Sequence, residues 1–412
     1  MPQPNRIHLF QGYGVELEYM IVDRNTLQVK PIADELLKHE LGEIGSDFEN
    51  GIVTWSNELV LHVIELKSTR PESNLNSLEK AFAENVSRMN AILTKWNAML
   101  LPTAAHPLVD PEKETRLWPH DNNEVYAVYN TIFNCKGHGW SNLQSTHINL
   151  PFYDDEEFAK LHAAVRLVLP LIPALCASSP IIDGKITGMQ DTRLTYYRSN
   201  QAKIPSITGK VIPEAIFSKR NYLNSIYEKI KADIRPYDPE GIMNPIWVNS
   251  RGAIARFDRG SIEIRLVDSQ ECPAAEMAIV SLLIETIKAL VAGKFVSHEA
   301  QMKWKTDQLV AVLNKAIESG QQADIDEEFA GIYSYKESGP AGKLWEHILN
   351  NLISRGNTTL EKWKPELDVI LKEGNLSTRI VSATGPSPSP DKVVEVYRHL
   401  ADCLAQNKMF YP

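Results

Sequence analysis

The chain has 412 residues and a formal net charge of -9, with 43% hydrophobic and 23% charged residues. This composition is that of a globular protein with enough chain for one large core or two smaller ones. The acidic balance gives no global attraction to nucleic acid or to a membrane surface, so small-molecule partners are expected.

The cysteines argue for a reducing compartment. Four of them, Cys135, Cys176, Cys272 and Cys403, lie far apart and form no CxxC pair. This spacing disfavours both a structural zinc site and a disulfide framework. The N-terminal stretch has no basic flank before an apolar core, so no secretory signal is expected. We therefore expect a cytoplasmic protein.

The first elements predicted along the chain are strands. Between residues 10 and 70, "VELEYMIV" and "LVLHVIELK" are rich in β-branched and apolar residues. Apolar residues at helical spacing over 78–96 then predict a long amphipathic helix that covers the back of the sheet. The apolar run at 163–177 contains two prolines and is too short to cross about 30 Å of hydrocarbon, so it predicts a buried, interrupted helix.

The second half of the chain predicts further strands and then helices. The elements are a strand at 145–152, a hairpin at 253–268, a helix at 274–293, helices beyond 297, and a last helix with Ser389 as N-cap and Pro390 in its first turn. Strands mixed with long helices, without regular βαβ alternation, favour an α+β fold with a largely antiparallel sheet.

The first strand carries two carboxylates on one face. Successive strand residues point to opposite faces, so Glu16 and Glu18 share a face opposite Leu17 and Tyr19. Two like charges side by side cost free energy when desolvated, unless water or a cation reaches them. For a single pair, the simplest interpretation is a solvated sheet face.

Other strands carry comparable polar residues. Glu65 interrupts an apolar run, and Glu58 lies seven residues earlier. Strict alternation puts these two on opposite faces, so Glu58 joins Glu65 only if it precedes the strand or a bulge intervenes. His147 shares a face with Asn149, although a lone histidine is more often a satisfied structural group than a ligand.

A third strand pairs an acid with a base. Glu263 and Arg265 share a face, and such a pair is usually a surface ion pair of little energetic value. Taken together, the strands could present one polar sheet face, formed by Glu16, Glu18, Glu65, His147, Glu263 and Arg265. Several carboxylates with one histidine suit Mg²⁺ or Mn²⁺. Nearby arginines suit phosphate or carboxylate groups.

The segment at 177–210 is rich in turn-forming residues and in cations. It contains Arg193, Arg198, Lys203 and Lys210. It is either an ordinary basic surface loop or a rim that binds anionic groups. No P-loop and no GxGxxG after a strand is present, so metals and arginines would have to hold any nucleotide.

These residues resemble a known family, the glutamate-cysteine ligase type 2 and carboxylate-amine ligase group. The similar motifs, in family order, are "GVELEYM", "ELVLHVIELKST", "HIN", "SSPIIDGKITGMQDTR" and "RFDRGSIEIRLVD". The resemblance covers roughly residues 10 to 275. One departure is Asn149, because the carboxylate-amine ligase subgroup usually has a second histidine there, and the subgroup stays open.

The resemblance implies the fold of the glutamine synthetase catalytic domain. We expect a curved, mostly antiparallel sheet with the active site on its concave face, backed by helices. Residues 1–296 would form the catalytic domain, and 297–412 a helical C-terminal region packed on it. The implied activity is ATP-dependent joining of a carboxylate, typically the γ-carboxylate of glutamate, to an amine.

The resemblance also assigns roles to residues. The Mg²⁺ or Mn²⁺ ligands would be Glu16, Glu18, Glu58, Glu65, His147 and Glu263. Arg265 would contact ATP phosphates, and Arg193 the acid substrate or the transferred phosphoryl group. Arg256 and Arg198 would be further contacts to ATP. The amine is not predicted, and a homo-oligomer is left open. Alternative functions are a metal-dependent amide hydrolase and a catalytically silent MgATP-binding protein.

Overall fold

The computed structural model describes residues 6–412 and is built around one eight-stranded antiparallel sheet. The strands, numbered in chain order, are β1 (Gly14–Asp23), β2 (Asp47–Asn50), β3 (Val53–Asn57), β4 (Val63–Ser68), β5 (Ala98–Leu101), β6 (Ser145–Pro151), β7 (Ile181–Ile182), β8 (Lys185–Ile186), β9 (Ala253–Arg256), β10 (Ser261–Asp268), β11 (Asp324–Ile325) and β12 (Gly339–Pro340). The order in the large sheet is β2-β3-β4-β1-β6-β10-β9, and β5 pairs with the end of β1. β7 with β8 and β11 with β12 form two small hairpin-like sheets.

Helices cover most of the remaining chain. They are α1 (Ala33–Leu41), α2 (Leu75–Leu93), α3 (Pro111–Glu114), α4 (Asn123–Phe133), α5 (His138–Ser141), α6 (Asp155–Val168), α7 (Ile172–Cys176), α8 (Thr192–Tyr197), α9 (Lys219–Tyr222), α10 (Glu228–Ile234), α11 (Pro245–Val248), α12 (Pro273–Val291), α13 (His298–Met302), α14 (Thr306–Ser319), α15 (Glu327–Gly331), α16 (Ala341–Ser354), α17 (Thr358–Lys362), α18 (Lys364–Lys372), α19 (Leu376–Thr384) and α20 (Pro390–Gln406). The predicted α+β class is confirmed.

The sheet has one apolar face and one polar face. On β1, Val15, Leu17 and Tyr19 are fully buried in the main hydrophobic core. Helices α2 and α12 pack behind this face and against each other, and α12 also packs against α6. The predicted long helix at 78–96 is therefore confirmed as part of the backing layer. The opposite face of the sheet is left for polar side chains.

The apolar run with two prolines forms an interrupted core helix, as predicted. Helix α6 passes through a short 3₁₀ turn at Leu169–Leu171 into α7. The turn arises because proline lacks an N–H and crowds the preceding helical turn. The segment Asp155–Cys176 is apolar and long enough to cross a membrane, yet 89% of its most apolar window is buried inside the protein.

The C-terminal helices close the other end of the sheet. Helix α20 begins as predicted, because the Ser389 side chain accepts a hydrogen bond from the Lys392 N–H and Pro390 occupies the first turn. Tyr397 and other buried residues of α20 share a second apolar cluster with Met20 of β1. The division of the chain at residue 296 stays a prediction.

Two details differ from the sequence-based expectation. Helix α1 lies in a region predicted to contain only strands and loops, and it is held by burial of Ala33, Leu36 and Leu37. Strand β4 begins at Val63, although the pattern predicted a strand from residue 59. The backbone at Leu61 bonds instead to Arg116 and to Ala33, outside the large sheet. Tertiary partners therefore decided both boundaries.

Candidate functional site

The central strands place acidic side chains together on the polar face of the sheet. In the β1–β4 register Glu18 lies opposite Glu65, and in the β1–β6 register Glu16 lies opposite His147. Directly opposite residues of an antiparallel pair share a face and lie within contact distance. Register alone thus assembles four of the six predicted metal ligands.

Glu58 joins these residues from outside the strands. It lies in the loop between β3 and β4, so it precedes the strand that carries Glu65, which is one of the two conditions stated above. The charge of Glu18 acts on its carboxyl group. We call Glu16, Glu18, Glu58, Glu65 and His147 the acidic cluster.

Hydrogen bonds fix half of the acidic cluster. His147 Nδ1 lies 3.0 Å from Glu16 Oε2, and Asn149 Nδ2 donates to Glu16 Oε1 at 3.0 Å. The main-chain N–H of Ser145 donates to Glu18 Oε2 at 2.7 Å. The Ser145 hydroxyl also lies 3.0 Å from His147 Nε2. Strand β6 therefore supplies ordered partners to both carboxylates of β1.

The carboxyl groups respond differently to burial. Burial alone would raise the pKa of Glu16, but the hydrogen bond and charge of His147, together with Arg265, hold that pKa at about 2. Burial and the charge of Glu18 raise the pKa of Glu58 to about 7. Burial and the charges of Glu16 and Glu58 raise the pKa of Glu65 well above its usual value. Without a cation, the acidic cluster therefore favours the neutral forms of Glu58 and Glu65 beside an ionised Glu16.

His147 is drawn toward its charged form. Burial and Arg265 lower its pKa, but the hydrogen bond to Glu16 and the negative charges of Glu18 and Glu16 raise it overall. Such a shift identifies a site where positive charge is favoured. A bound cation is an alternative source of that charge.

The donor atoms fit a hard divalent cation. One ligand atom each from Glu16, Glu65 and His147 lie within 4.8 Å of one another. Carboxylate oxygens with one imidazole nitrogen suit Mg²⁺ or Mn²⁺. The raised pKa values of Glu58 and Glu65 are what a nearby divalent charge would lower, since the ion is the largest local charge in such sites. The residues present therefore fit a metal centre.

Glu263 lies on the same face, one strand further along the sheet. It is opposite Asn149 in the β10–β6 register. Its Oε1 accepts from Arg265 at 2.7 Å and its Oε2 from Arg256 at 3.4 Å, and Arg256 also donates to Asp258 at 2.9 Å. The sixth predicted metal ligand is thus held by two guanidinium groups, which lie beside the acidic cluster as predicted from sequence.

The structure separates Arg193 and Arg198 from the acidic cluster. The Arg193 side chain is 2% exposed and donates to Asp268 at 3.1 Å and to the main-chain oxygen of Arg265 at 2.7 Å. Arg198 is exposed and donates to Asn314 of α14 at 2.8 Å. Arg193 therefore supports the strand that carries Arg265. Arg198 lies at the end of α8 and is directed to α14, and its predicted contact with ATP stays a prediction.

A cavity adjoins the acidic cluster at one end of the sheet. It has a volume of about 590 Å³ and is lined by Gly14, Glu16, Asn149, Arg70 and Arg259, among others. Pockets of about 300–1,000 Å³ suit a small-molecule ligand or cofactor. Gly14 allows the strands to approach here, since a Cβ atom would lie 2.9 Å from Asn149 Cβ.

Three basic residues of this region were not singled out in the sequence. Lys67 follows Glu65 by two residues and lies opposite Glu16, and Arg70 and Arg259 line the cavity. The signal for Lys67 was available, because it shares a strand face with Glu65 by simple alternation. Arg259 lies in the "DRG" turn and Arg70 after the end of β4, where no periodicity indicates side-chain direction.

Helix α4 lies beside the acidic cluster. The Tyr126 hydroxyl accepts from Asn57 Nδ2 at 3.2 Å, and burial and the charge of Glu58 raise the pKa of Tyr126. Tyr129, one turn along, packs against Trp140 with ring centroids 5.3 Å apart. Within α4 only Ile132 is buried. The helix therefore borders the site with little core packing of its own.

Comparisons with known proteins identify the family of this chain. The family model described as Glutamate-cysteine ligase family 2 (GCS2) matches residues 13–329. An uncharacterized protein from Archaeoglobus fulgidus is 31% identical over 400 residues, which cover 96% of this chain and 99% of that protein. A protein from Rubrobacter xylanophilus, provisionally named glutamate-cysteine ligase 2-3, is 23% identical over 65% of this chain and 67% of its own.

Solved structures share the fold. A glutamate-cysteine ligase from Francisella tularensis in complex with AMP superposes with a TM-score of 0.61 at 11% identity, over 96% of this chain and 88% of that one. A bifunctional glutathione synthetase from Pasteurella multocida gives a TM-score of 0.57 at 14% identity, over 97% of this chain and 52% of its own. At such identities the likeness shows the fold alone.

Proposed function

The chain belongs to glutamate-cysteine ligase family 2, and from this premise we propose that it is an ATP-dependent carboxylate-amine ligase. The observation that carries the proposal is the position of the acidic cluster beside a cavity of about 590 Å³ with two arginines in its wall. The cluster fits divalent cations, and the cavity and arginines fit a nucleotide phosphate chain. A metal site beside a phosphate site is the requirement of phosphoryl transfer.

Divalent ions would be held by the acidic cluster, with Glu263 joining from β10. When bound, such ions supply positive charge that neutralises the phosphate oxygens during transfer. Glu16 and Glu18 are already oriented for this role by Asn149 and Ser145. Ligands held by other hydrogen bonds need less reorganisation when they bind an ion.

The adenine nucleotide is proposed to occupy the cavity at the Gly14 end of the sheet. Arg70 and Arg259 line its wall together with Glu16 of the acidic cluster, and Arg265 donates to Glu263 on the same sheet face. The Arg265 guanidinium donates to Glu263 and lies close to the Tyr197 hydroxyl. A guanidinium in this position suits a phosphoryl or carboxylate oxygen. The AMP complex of the Francisella ligase supports the choice of nucleotide.

The proposed reaction has two steps. A substrate carboxylate oxygen bonds to the γ-phosphorus of ATP, and the bond to ADP breaks. The amine nitrogen then bonds to the acyl carbon, phosphate leaves, and the amine gives up a proton. The acyl phosphate must be kept from water. Helix α4, with Tyr126 and Tyr129, is placed to exclude water at the Glu58 side. From the family, we propose the γ-carboxylate of glutamate as the acid.

Arg193 is proposed to position Arg265 rather than to contact substrate. Its guanidinium joins Asp268 to the main-chain oxygen of Arg265.

The cytoplasm is the proposed location of the protein. All four cysteines are free and buried, which suits a reducing compartment.

The test is release of ADP by the purified full chain. The protein would be incubated with MgATP, glutamate and a panel of amines that includes cysteine, and products identified by mass spectrometry. We expect ADP release that depends on one amine, with formation of the corresponding amide. Glu65→Gln should abolish it. Glu49→Gln, on an exposed position of the same sheet, is the matched control and should not.

The alternatives predict different results in the same experiment. Amide cleavage that needs no nucleotide and stops with a chelator would support a metal-dependent hydrolase. Tight MgATP binding without turnover of any acid and amine would support a silent nucleotide-binding protein. Absence of amine-dependent ADP release across the panel would count against the ligase.

A further inference from the structure

A lysine side chain lies next to the carboxylates of the acidic cluster. Lys67 of β4 lies directly opposite Glu16 of β1, on the same face. Its ammonium nitrogen is 3.3 Å from Glu65 Oε2 and 3.1 Å from Asp47 Oδ1. The side chain is 34% exposed, so it can be reached from the polar side of the sheet. A fixed positive charge therefore lies where divalent ions are proposed to bind.

We propose that Lys67 is a built-in cation of the acidic cluster, which takes the place of one divalent ion at Glu65 and so limits how many ions the cluster holds. The proposal rests on the metal-dependent function proposed above and adds a determinant to it. Lys67 acts here through the charge that it places at Glu65. It does not require contact with substrate.

The distribution of partners supports this role. Glu263 has two arginines, and Glu16 has His147 and Asn149. Within the described residues, Lys67 is the one cationic side chain that forms an ion pair with Glu65. An ammonium group so placed contributes one positive charge where a divalent ion would contribute two. A second cation at the same carboxylate would be repelled by the first, and the repulsion is strong in a partly desolvated site.

The simpler interpretation is a surface ion pair between Lys67 and Asp47. Asp47 lies on the edge strand β2, and its side chain is 57% exposed. An exposed pair of this kind contributes little. The two interpretations differ in whether the Lys67 ammonium group competes with a metal ion for Glu65. A metal-binding titration measures this competition directly.

The experiment counts bound Mn²⁺ on the full chain after removal of metals by chelation. Free Mn²⁺ would be followed by electron paramagnetic resonance for the wild type, Lys67→Gln and Lys67→Arg. We expect Lys67→Gln to bind one additional ion, or its weakest ion about tenfold more tightly, because the competing charge is gone. Lys67→Arg keeps the charge and should keep the wild-type isotherm.

A matched control removes a similar ion pair elsewhere. Lys30 pairs with Asp23 at 3.0 Å and is 28% exposed, at the opposite end of β1 from Glu16. Lys30→Gln should leave Mn²⁺ binding unchanged. If it shifts the isotherm as Lys67→Gln does, the effect is one of net charge and the proposal is overturned.

A second variant keeps the test valid if Lys67→Gln folds poorly. Asp47→Asn removes the other partner of Lys67 without altering the acidic cluster. The Lys67 ammonium group then pairs with Glu65 alone and competes more strongly with a metal ion there. We expect Mn²⁺ binding to weaken about threefold. In the Lys67→Gln background the same change should have no effect, and the double-mutant cycle reports this coupling. Equal effects of Asp47→Asn in both backgrounds would overturn the proposal.

The outcomes separate this proposal from the proposed function. A wild-type chain that binds Mn²⁺ while Lys67→Gln binds it identically or more weakly overturns the role of Lys67 alone. A wild-type chain that binds no Mn²⁺ overturns the metal site, and both proposals with it. Additional or tighter binding in Lys67→Gln, absent in Lys67→Arg and Lys30→Gln, supports the built-in cation.

Discussion

Chemically identical side chains of the acidic cluster behave differently because their immediate partners differ. Glu16 has a hydrogen-bonded histidine and an amide, and its pKa is held at about 2. Within residues 6–412, the Glu58 carboxylate accepts only from the N–H of Leu59 at 3.3 Å, and its pKa is raised to about 7. The first is ready to bind a cation at any neutral pH. The second becomes a good ligand only near neutral pH and above.

Glu58 should make the metal-free protein less stable as pH rises. Its folded pKa of about 7 lies above the usual 4.5, so the folded state binds the proton more tightly than the unfolded state. Stability from this group is full below about pH 4.5 and is lost as pH rises to about 7. In chelator, Glu58→Gln should therefore be more stable than the wild type near pH 8, by about 3 kcal/mol, and similar near pH 4. Urea unfolding at both pH values tests this, and equal stability near pH 8 would contradict it.

Glu263 should make ATP binding depend on Mg²⁺. Glu263→Gln removes a proposed ligand charge without a change of volume, and also removes the charged partner shared by Arg256 and Arg265. We expect Mg²⁺-dependent ATP affinity to fall about tenfold or more, since hydrogen bonds to charged groups are worth about 1.5–3 kcal/mol. Calorimetry with and without Mg²⁺ measures it. Unchanged affinity in Mg²⁺ would show that this residue is not a ligand.

Strand alternation was sufficient to predict which acidic side chains share the polar face of the sheet. Glu16, Glu18, Glu65 and Glu263 share the polar face because a two-residue period leaves no other arrangement once the apolar residues face the core. Arg198 could not be placed by such a rule. A residue at a helix end takes its direction from the neighbouring element, here α14.

At the level of elements, the close pairing of β1 with β6 forms the site. Gly14 faces Asn149 in register, and Asn149 in turn donates to Glu16. A side chain at position 14 would therefore push away the strand that orders the first ligand.

Gly14→Ala should disturb both the sheet and the site. The added Cβ atom would lie 2.9 Å from Asn149 Cβ. Overpacking of this kind costs about 1–3 kcal/mol, and we expect weaker Mn²⁺ binding as well. Gly331→Ala is the control, because a Cβ atom there meets nothing within 4 Å. Denaturant unfolding and Mn²⁺ titration measure the two effects. Similar behaviour of both variants would refute the prediction.

Helix α4 should respond to ligand more than the sheet does. Its only buried residue is Ile132, whereas α2 buries nine residues. Elements with few buried contacts open more readily. We expect amides of α4 to exchange faster than those of α2 without ligand, and to be slowed about tenfold or more by MgATP with glutamate. Hydrogen exchange with mass spectrometry tests this. Equal protection with and without ligand would argue against a role of α4 in excluding water.

The elements themselves were predicted unevenly, for a physical reason. The strands at β1 and β6 and the helices α2, α12 and α20 carry strong periodicity and clear end signals, and all are present. Helix α1 has only three buried residues and is stabilised by what it packs against. Local pattern predicts elements that carry their own signal, and tertiary packing decides the short ones.

At the level of the whole molecule, the acidic cluster would couple the proposed metal binding to folding. One hydrophobic core joins the sheet to helices as distant as α16 and α18, so relief of repulsion at the cluster stabilises the entire unit. A ligand that binds only the folded state raises its stability. Metal binding should therefore appear in the melting temperature.

Saturating Mg²⁺ should raise the melting temperature by about 4 °C or more near pH 8, and by less than half as much near pH 6. The reason is competition with protons, because Glu58, with a pKa of about 7, and Glu65, with a raised pKa, must ionise before they bind a cation. Differential scanning calorimetry against an equal ionic strength of KCl provides the control. A larger increase in melting temperature near pH 6 than near pH 8 would contradict this competition with protons.

The chain order of the sheet has a kinetic consequence. His147 lies 131 residues beyond Glu16, and Ser269, just after β10, bonds to a carbonyl 251 residues earlier. Contacts so distant in sequence form late, after large loops have closed. During synthesis β1 therefore emerges with its carboxylates long before its partner strands exist. Tight binding of a divalent ion would then become possible only at the last stage of folding. Incompletely folded chains would not retain the ion.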